Sequence, residues 1–347
     1  MAVFSKLRIE GFSDHHVQGI AIDKKHEFMY FSFTTSLIKT DLRGNILGSV
    51  TGIIGHLGCI AFNPDDGRIY ASLEYNNDAI GRGILKSLDK DIVFPDLFYV
   101  AAFDVEKIVR LNMDAEKDGI MTAVLVKEAC DDYSAKGHRF GCSGIDGITF
   151  APKPGTMNND LFLYVAYGIY KDNKRRDNDH QILLMYDIKD FCRYEAVLNQ
   201  NNLHVNGPEM PFGKYFVFTG NTNYGIQNLE YDSERYCLFA AVYPGKKWYY
   251  PNYSMFAIDL CENAVNIKLH GLDTKGDTLK LKKLGFFRKR GKISGSYFNY
   301  GSTGMISLGN SRFIFSEEFK DKNGHGTEVC AYILNDDTGF IRSEIEL

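Results

Sequence analysis

Apolar residues in this chain fall in short alternating runs separated by polar turns, the period of β-strands rather than of helices. The runs recur in a fixed order. The first kind reads HVQGIAID (16–23), HLGCIAFN (56–63), GIDGITFA (144–151), GIQNLEYD (225–232) and STGMISLG (302–309). Written in register, one column is always aliphatic: Ile20, Ile60, Ile148, Leu229 and Ile306. Two residues later another is always apolar: Ile22, Phe62, Phe150, Tyr231 and Leu308. Between them stands a mostly small residue: Ala21, Ala61, Thr149, Glu230 or Ser307. A small side chain at a repeated position predicts strands that converge on a crowded axis. The second kind of run is aromatic and β-branched: FMYFSFTT (28–35), RIYASLEY (68–75), FLYVAYGIY (162–170), YCLFAAVYP (236–244) and RFIFSEEF (312–319). Turn residues such as PDDG and DSER join it to the first as a hairpin.

A third run ends in apolar–Asp–apolar: LIKTDL (37–42), YVAAFDV (99–105), LLMYDI (183–188) and MFAIDL (255–260), with CAYILN (330–335) as a variant copy. A fourth, weaker run follows in four units: NILGSVTG (45–52), TAVLVKEA (122–129), KYFVFTG (214–220) and LKLKKLGFF (279–287). Five units of four strands, the last completed by an N-terminal strand, predict an all-β fold, a β-propeller of four-stranded antiparallel blades, five blades being favoured. The third-run positions Asp41, Asp104, Asp187, Asp259 and Asn335 are spaced far more widely than the roughly 40–45 residues of WD repeats. The extra length is assigned to loops. Residues 1–347 are expected to form one domain, with a strand at about 4–12 joining the last blade to close the ring. The alternative is six or seven blades, with 76–97 and 192–213 each hiding one.

Composition narrows the functional classes. Net charge is −4, and the basic runs KDNKRR (171–176) and FFRKRGK (286–292) are short, so no nucleic-acid partner is expected. No apolar stretch approaches the roughly 18 residues of a membrane span. Seven scattered cysteines without a CxxC pair read as reduced, buried thiols and a cytoplasmic location.

Propeller geometry maps the candidate chemistry. Residues before each first strand and at the end of each second strand should ring one axial mouth. The first group holds His15, His16, Gln18, His56, Asp146, Tyr224 and Gln227. The second holds Glu74, Glu317 and Glu318. Carboxylates brought together either bind a cation or drive one pKa upward, which is how acid–base pairs arise. Glu74, Glu318, Asp146 and His16 are therefore the expected catalytic groups. His15, Gln18, His56, Tyr224, Gln227 and Glu317 are expected to bind. Trp248, in KKWYYPNY, is expected to stack on a flat ligand from a long rim loop.

The fragment HLGCIAFNPDDGRIYASLEY (56–75) resembles the superfamily of calcium- or metal-dependent propellers that includes NHL, gluconolactonase-like and strictosidine-synthase-like proteins. That resemblance implies a metal at the axial mouth. Here Gln18 stands where gluconolactonase-like members carry an acidic residue. His16, His56, Glu74, Asp146 and Glu318 are the expected ligands, and calcium or manganese the expected divalent cation. The expected activity is that of a hydrolase or lyase on a small polar, carbohydrate-like molecule. The alternative is a propeller that binds a ligand or protein without turnover.

Overall fold

In the computed structural model, which describes residues 3–13, 15–158, 160–322 and 324–346, five antiparallel sheets stand around one axis. The inner strands are Val17–Asp23, His56–Asn63, Cys142–Pro152, Thr222–Asp232 and Met305–Gly309. Each touches the next, and the fifth touches the first, so the ring is closed. The chain is thus a five-bladed propeller. Segment 76–97 holds no sixth blade; it forms the helix Ala79–Ser87 and coil. Segment 192–213 is largely coil and lends Ala196–Val197 to the edge of blade 2.

Crowding at the axis explains the small-residue pattern. A Cβ on Gly19 would lie 2.8 Å from the Ile60 nitrogen and 3.0 Å from the Cys59 Cα. Asn228 seals the centre of the ring. Its side-chain amide donates to the carbonyls of Gln18 and Ser302, both at 2.9 Å. The apolar core lies between blades. Phe239 of blade 4 meets Phe313 of blade 5 edge to face, with ring centroids 5.4 Å apart.

Blades 1 to 3 each have four antiparallel strands. Blade 2 departs from the expected fourth run, for its strand stops at Leu125 and Lys127–Ser134 is helical. Blade 4 departs further. The run 279–287 bridges its neighbour only near Leu281. Leu284 and Phe287 then turn back together into the core, with Phe287 N–H donating to the Leu284 carbonyl, so alternation is lost. In blade 5 the outer position is shared. Lys6–Ser13 pairs with one end of Gly324–Asn335, and Gly339–Arg342 with the other.

All seven cysteines are free thiols. Burial pushes the Cys142 thiol far above its usual pKa. Among the described residues no helix is long and apolar enough to cross a membrane.

Ile9 is 2% exposed and ties the N-terminal strand to the last blade. Ile9→Ala should lower the unfolding free energy by about 2–5 kcal/mol, read from urea denaturation. A loss within about 0.5 kcal/mol, typical of a surface change, would show that this strand does not hold the ring.

Candidate active site at the axial mouth

At one end of the axis lies a cavity of about 470 Å³. Its wall is built from irregularities in the inner strands. Strand pairing slips between Val17 and Gly19, Leu57 and Ile60, Ile145 and Ile148, and Ile226 and Asn228. Such bulges set extra residues against the partner strand and re-aim side chains. The residues they re-aim include Gln18, Asp146 and Gln227, and all three line the cavity. In blade 5 the slip falls at the other end of the strand, between Ser307 and Gly309.

Glu74 is the penultimate residue of the second strand of blade 2, Arg68–Tyr75, directly across from His56. Its Oε2 lies 3.3 Å from His56 Nδ1. Its Oε1 accepts the Ile145 backbone N–H at 2.7 Å. That last bond requires Gly144, at φ +129°, because a Cβ there would sit 1.9 Å from the carboxylate oxygen. Asp146 follows one residue on, its Oδ2 accepting the Gln227 side-chain amide at 2.7 Å. Gly58 makes room for it, since a Cβ on Gly58 would come within 2.9 Å of Asp146 Oδ1.

Burial sets the protonation of this group. It drives the Asp146 carboxyl well above the carboxylate range; the charge of Glu74 adds to this, while His56 and the Gln227 hydrogen bond oppose it. Burial also raises Glu74, against the pull of His56 and the Ile145 amide. For His56, burial disfavours the charged ring, but the hydrogen bond and charge of Glu74, with Asp146 beyond, reverse that and raise it. Two carboxyls and an imidazole thus hold protons more tightly than free groups would.

The opposite wall is a chain of weaker contacts. His16 Nε2 lies 3.3 Å from Gln18 Nε2, which also reaches Thr34 Oγ1 at 3.1 Å. Glu318 stands behind His16 at 4.0 Å and binds His325 at 2.9 Å. Burial lowers the His16 pKa, with Glu318 opposing. His15 contacts Ser87 at 3.0 Å and so ties the rim to the helix Ala79–Ser87. That helix lies over the mouth, lining it with Ile80 and Ile84, and is capped by Asp78, whose carboxylate accepts the Gly81 N–H.

His15, His16, Gln18, His56, Glu74, Asp146, Tyr224 and Gln227 therefore share one cavity. Glu318 supports its edge through His16. Glu317 does not belong, because adjacent strand residues face opposite ways. It accepts from Tyr332 Oη at 2.7 Å and pairs with Arg342 at 3.6 Å. Nor does Trp248 line the cavity: it is 84% exposed and meets Tyr249 edge on. The helix and Asp78 were absent from the sequence expectations, although an Asp before an amphipathic AIGRGILKS run is a recognisable start signal.

The donor set does not fit the implied cation. Glu74 Oε1 and Asp146 Oδ2 already accept protein hydrogen bonds. Among the described residues, the only three such donors within 4.8 Å of one another are Glu317, Glu328 and Cys330, a group outside this cavity. Arg342 already supplies the positive charge there.

No family model matches the chain, and no curated protein matches it. Solved structures with a similar course include U3-55K, at 10% identity and a TM-score of 0.41, covering 99% of this chain and 85% of that one. Another is the hydrazine synthase of Kuenenia stuttgartiensis, also at 10% identity and 0.41, covering 92% of this chain and 72% of that one.

The raised groups give a signed pH dependence. Asp146, Glu74 and His56 bind protons more tightly folded than unfolded. Their stabilising contribution is complete below the ordinary values of 3.8, 4.5 and 6.5 and is lost as pH rises through the folded values. The stability of the native protein relative to Asp146→Asn should therefore fall as pH climbs from about 4 towards neutrality, read by urea unfolding across pH. A difference that grows with pH instead would mean that native Asp146 is an ordinary ionised carboxylate.

Proposed function

We propose that the axial cavity is the active site of a hydrolase or lyase that works by acid–base chemistry on a small polar, carbohydrate-like substrate. The observation that carries this reading is the placing of Asp146 and Glu74, both buried and both raised, in one cavity with His56. Burying two carboxyls is costly, and strongly raised carboxyls in one cleft are characteristic of acid–base sites. Asp146 held as the neutral acid is a proton donor for a leaving oxygen. Glu74 and His56 form the pair that accepts a proton from water or from a substrate carbon. The two act on different partners because their hydrogen bonds differ: Asp146 is held by a neutral amide, Glu74 by an imidazole and a backbone N–H.

The remaining wall suits hydroxyl-rich ligands. Gln18, Thr34 and Gln227 offer amide and hydroxyl groups, and Tyr170, Tyr224 and Tyr243 offer ring faces. The volume is in the usual range for small-ligand sites. Trp248, exposed on the rim, gives no support to a stacking site inside the cavity.

A panel of aryl glycosides, sugar lactones and uronate-containing disaccharides tests the reading by product release. On any substrate that turns over, Asp146→Asn and Glu74→Gln should each lower kcat/KM by about 10²–10⁴ while the thermal midpoint shows the fold retained. Turnover that survives both substitutions, or sugar binding with no turnover across the panel, would sink it.

A further inference from the structure

Blade 4 leaves its outer position partly filled, and a second cavity of about 630 Å³ opens beside it. Its walls come from the sheet extension Val265–Lys268 and Lys275–Thr278, the coil 279–283, and the hairpin Arg288–Arg290 with Ile293–Gly295. Five lysines line it: Lys268, Lys280, Lys283, Lys289 and Lys292. Among the described residues no Asp or Glu does. In a chain of net charge −4, this is a marked separation of charge. Asp273 holds Lys268 at 2.8 Å, and Glu262 holds Lys280. Lys283, Lys289 and Lys292 are exposed and make no ion pair with a described residue.

The floor of this cavity has a different character. Phe218, Ile267, Leu279 and Leu281 make it apolar, and the Phe218 and His270 rings lie 4.5 Å apart. His180 is 4% exposed, lines the same space, and has a buried Nδ1 without a hydrogen-bond partner.

We infer that this cleft binds a small organic polyanion, a flat apolar body bearing a chain of phosphates, of which a nucleoside triphosphate is the type. The free lysines meet the phosphates as point charges. The floor beside Phe218 and His270 takes the ring system. The cavity volume is that of a site for a compact ligand.

The experiment is calorimetric titration of the full chain with ATP, with adenosine and inorganic triphosphate alongside. ATP should bind more tightly than either fragment. The exposed-residue variant Lys283→Ala/Lys289→Ala/Lys292→Ala should weaken ATP by about tenfold or more with an unchanged thermal midpoint, since each exposed charge contributes only a fraction of a kcal/mol. Asp146→Asn should leave ATP binding unchanged, which separates this cleft from the axial cavity. No heat with ATP, or ATP affinity untouched by the triple variant, overturns the proposal. Triphosphate binding as tightly as ATP overturns the role of the apolar floor. A single-stranded oligonucleotide binding more tightly than ATP overturns the compact ligand.

Discussion

Everything at the working end of this propeller depends on how closely five inner strands approach one axis. The backbones of blades 1 and 2 come so near that a single Cβ at Gly19 would collide with Cys59 and Ile60. Strands packed this tightly cannot all stay regular and still present side chains to the centre. The bulges resolve the conflict. In blades 1, 3 and 4 the added residues bring a polar side chain to the mouth, and in blade 2 they are Gly58 and Cys59. Gln18, Asp146 and Gln227 owe their direction to this device, and the Gln227–Asp146 bond links two blades through it. Closure of the ring and construction of the cavity are thus one event.

The same crowding fixes the electrostatics. Groups aimed at a narrow mouth lose water from most sides, so their charged forms become costly. The protein offsets this with short, specific contacts and with one imidazole, His56, beside Glu74. Glu74 is met by the Ile145 N–H, which reaches it only because residue 144 has no side chain. Asp146 is met by an amide that neutralises nothing. His56, between the two acids, is the only buried base among them. A single titratable unit results, in which the proton of one member depends on the others.

The sequence made the ring legible and left much of the mouth obscure, for a physical reason. Blade strands repeat because the same steric problem recurs at Ile20, Ile60, Ile148, Leu229 and Ile306, and five solutions to one problem look alike. That register placed His56 and Glu74 at one mouth; their direct cross-strand pairing emerged only in the structure. Bulges were not legible, because an extra residue changes pairing without changing composition. Glu317 and Glu318 show the limit of register. Only one of two neighbouring residues can face the mouth, and the doublet does not say which. The helix Ala79–Ser87 was hidden for another reason. Its Gly81 packs so near Asn76 that a Cβ would sit 1.9 Å from the Asn76 carbonyl oxygen. A glycine that reads as loop-like in isolation is here the condition for docking the helix. The run 279–287 failed as a strand because Leu284 and Phe287 satisfy the core as a turn.

One residue of the small-side-chain column resists the steric account, and it clarifies the axis as a whole. Glu230 stands where other blades carry Ala, Thr or Ser, facing a cavity at the opposite end of the ring. Burial pushes its pKa up to about 8, although it accepts the Ser307 N–H at 2.8 Å and Lys24 lies near. Both ends of the axis therefore hold an acid with a raised pKa. What keeps them distinct is Asn228, whose bonds to Gln18 and Ser302 cross the centre, while Cys59 Sγ donates to its Oδ1 at 3.3 Å. The plug is polar but uncharged and has its hydrogen bonds satisfied, so it separates the two acids without adding a charge between them. Two mouths, lined by opposite ends of the same inner strands and parted by this plug, are what the packing builds.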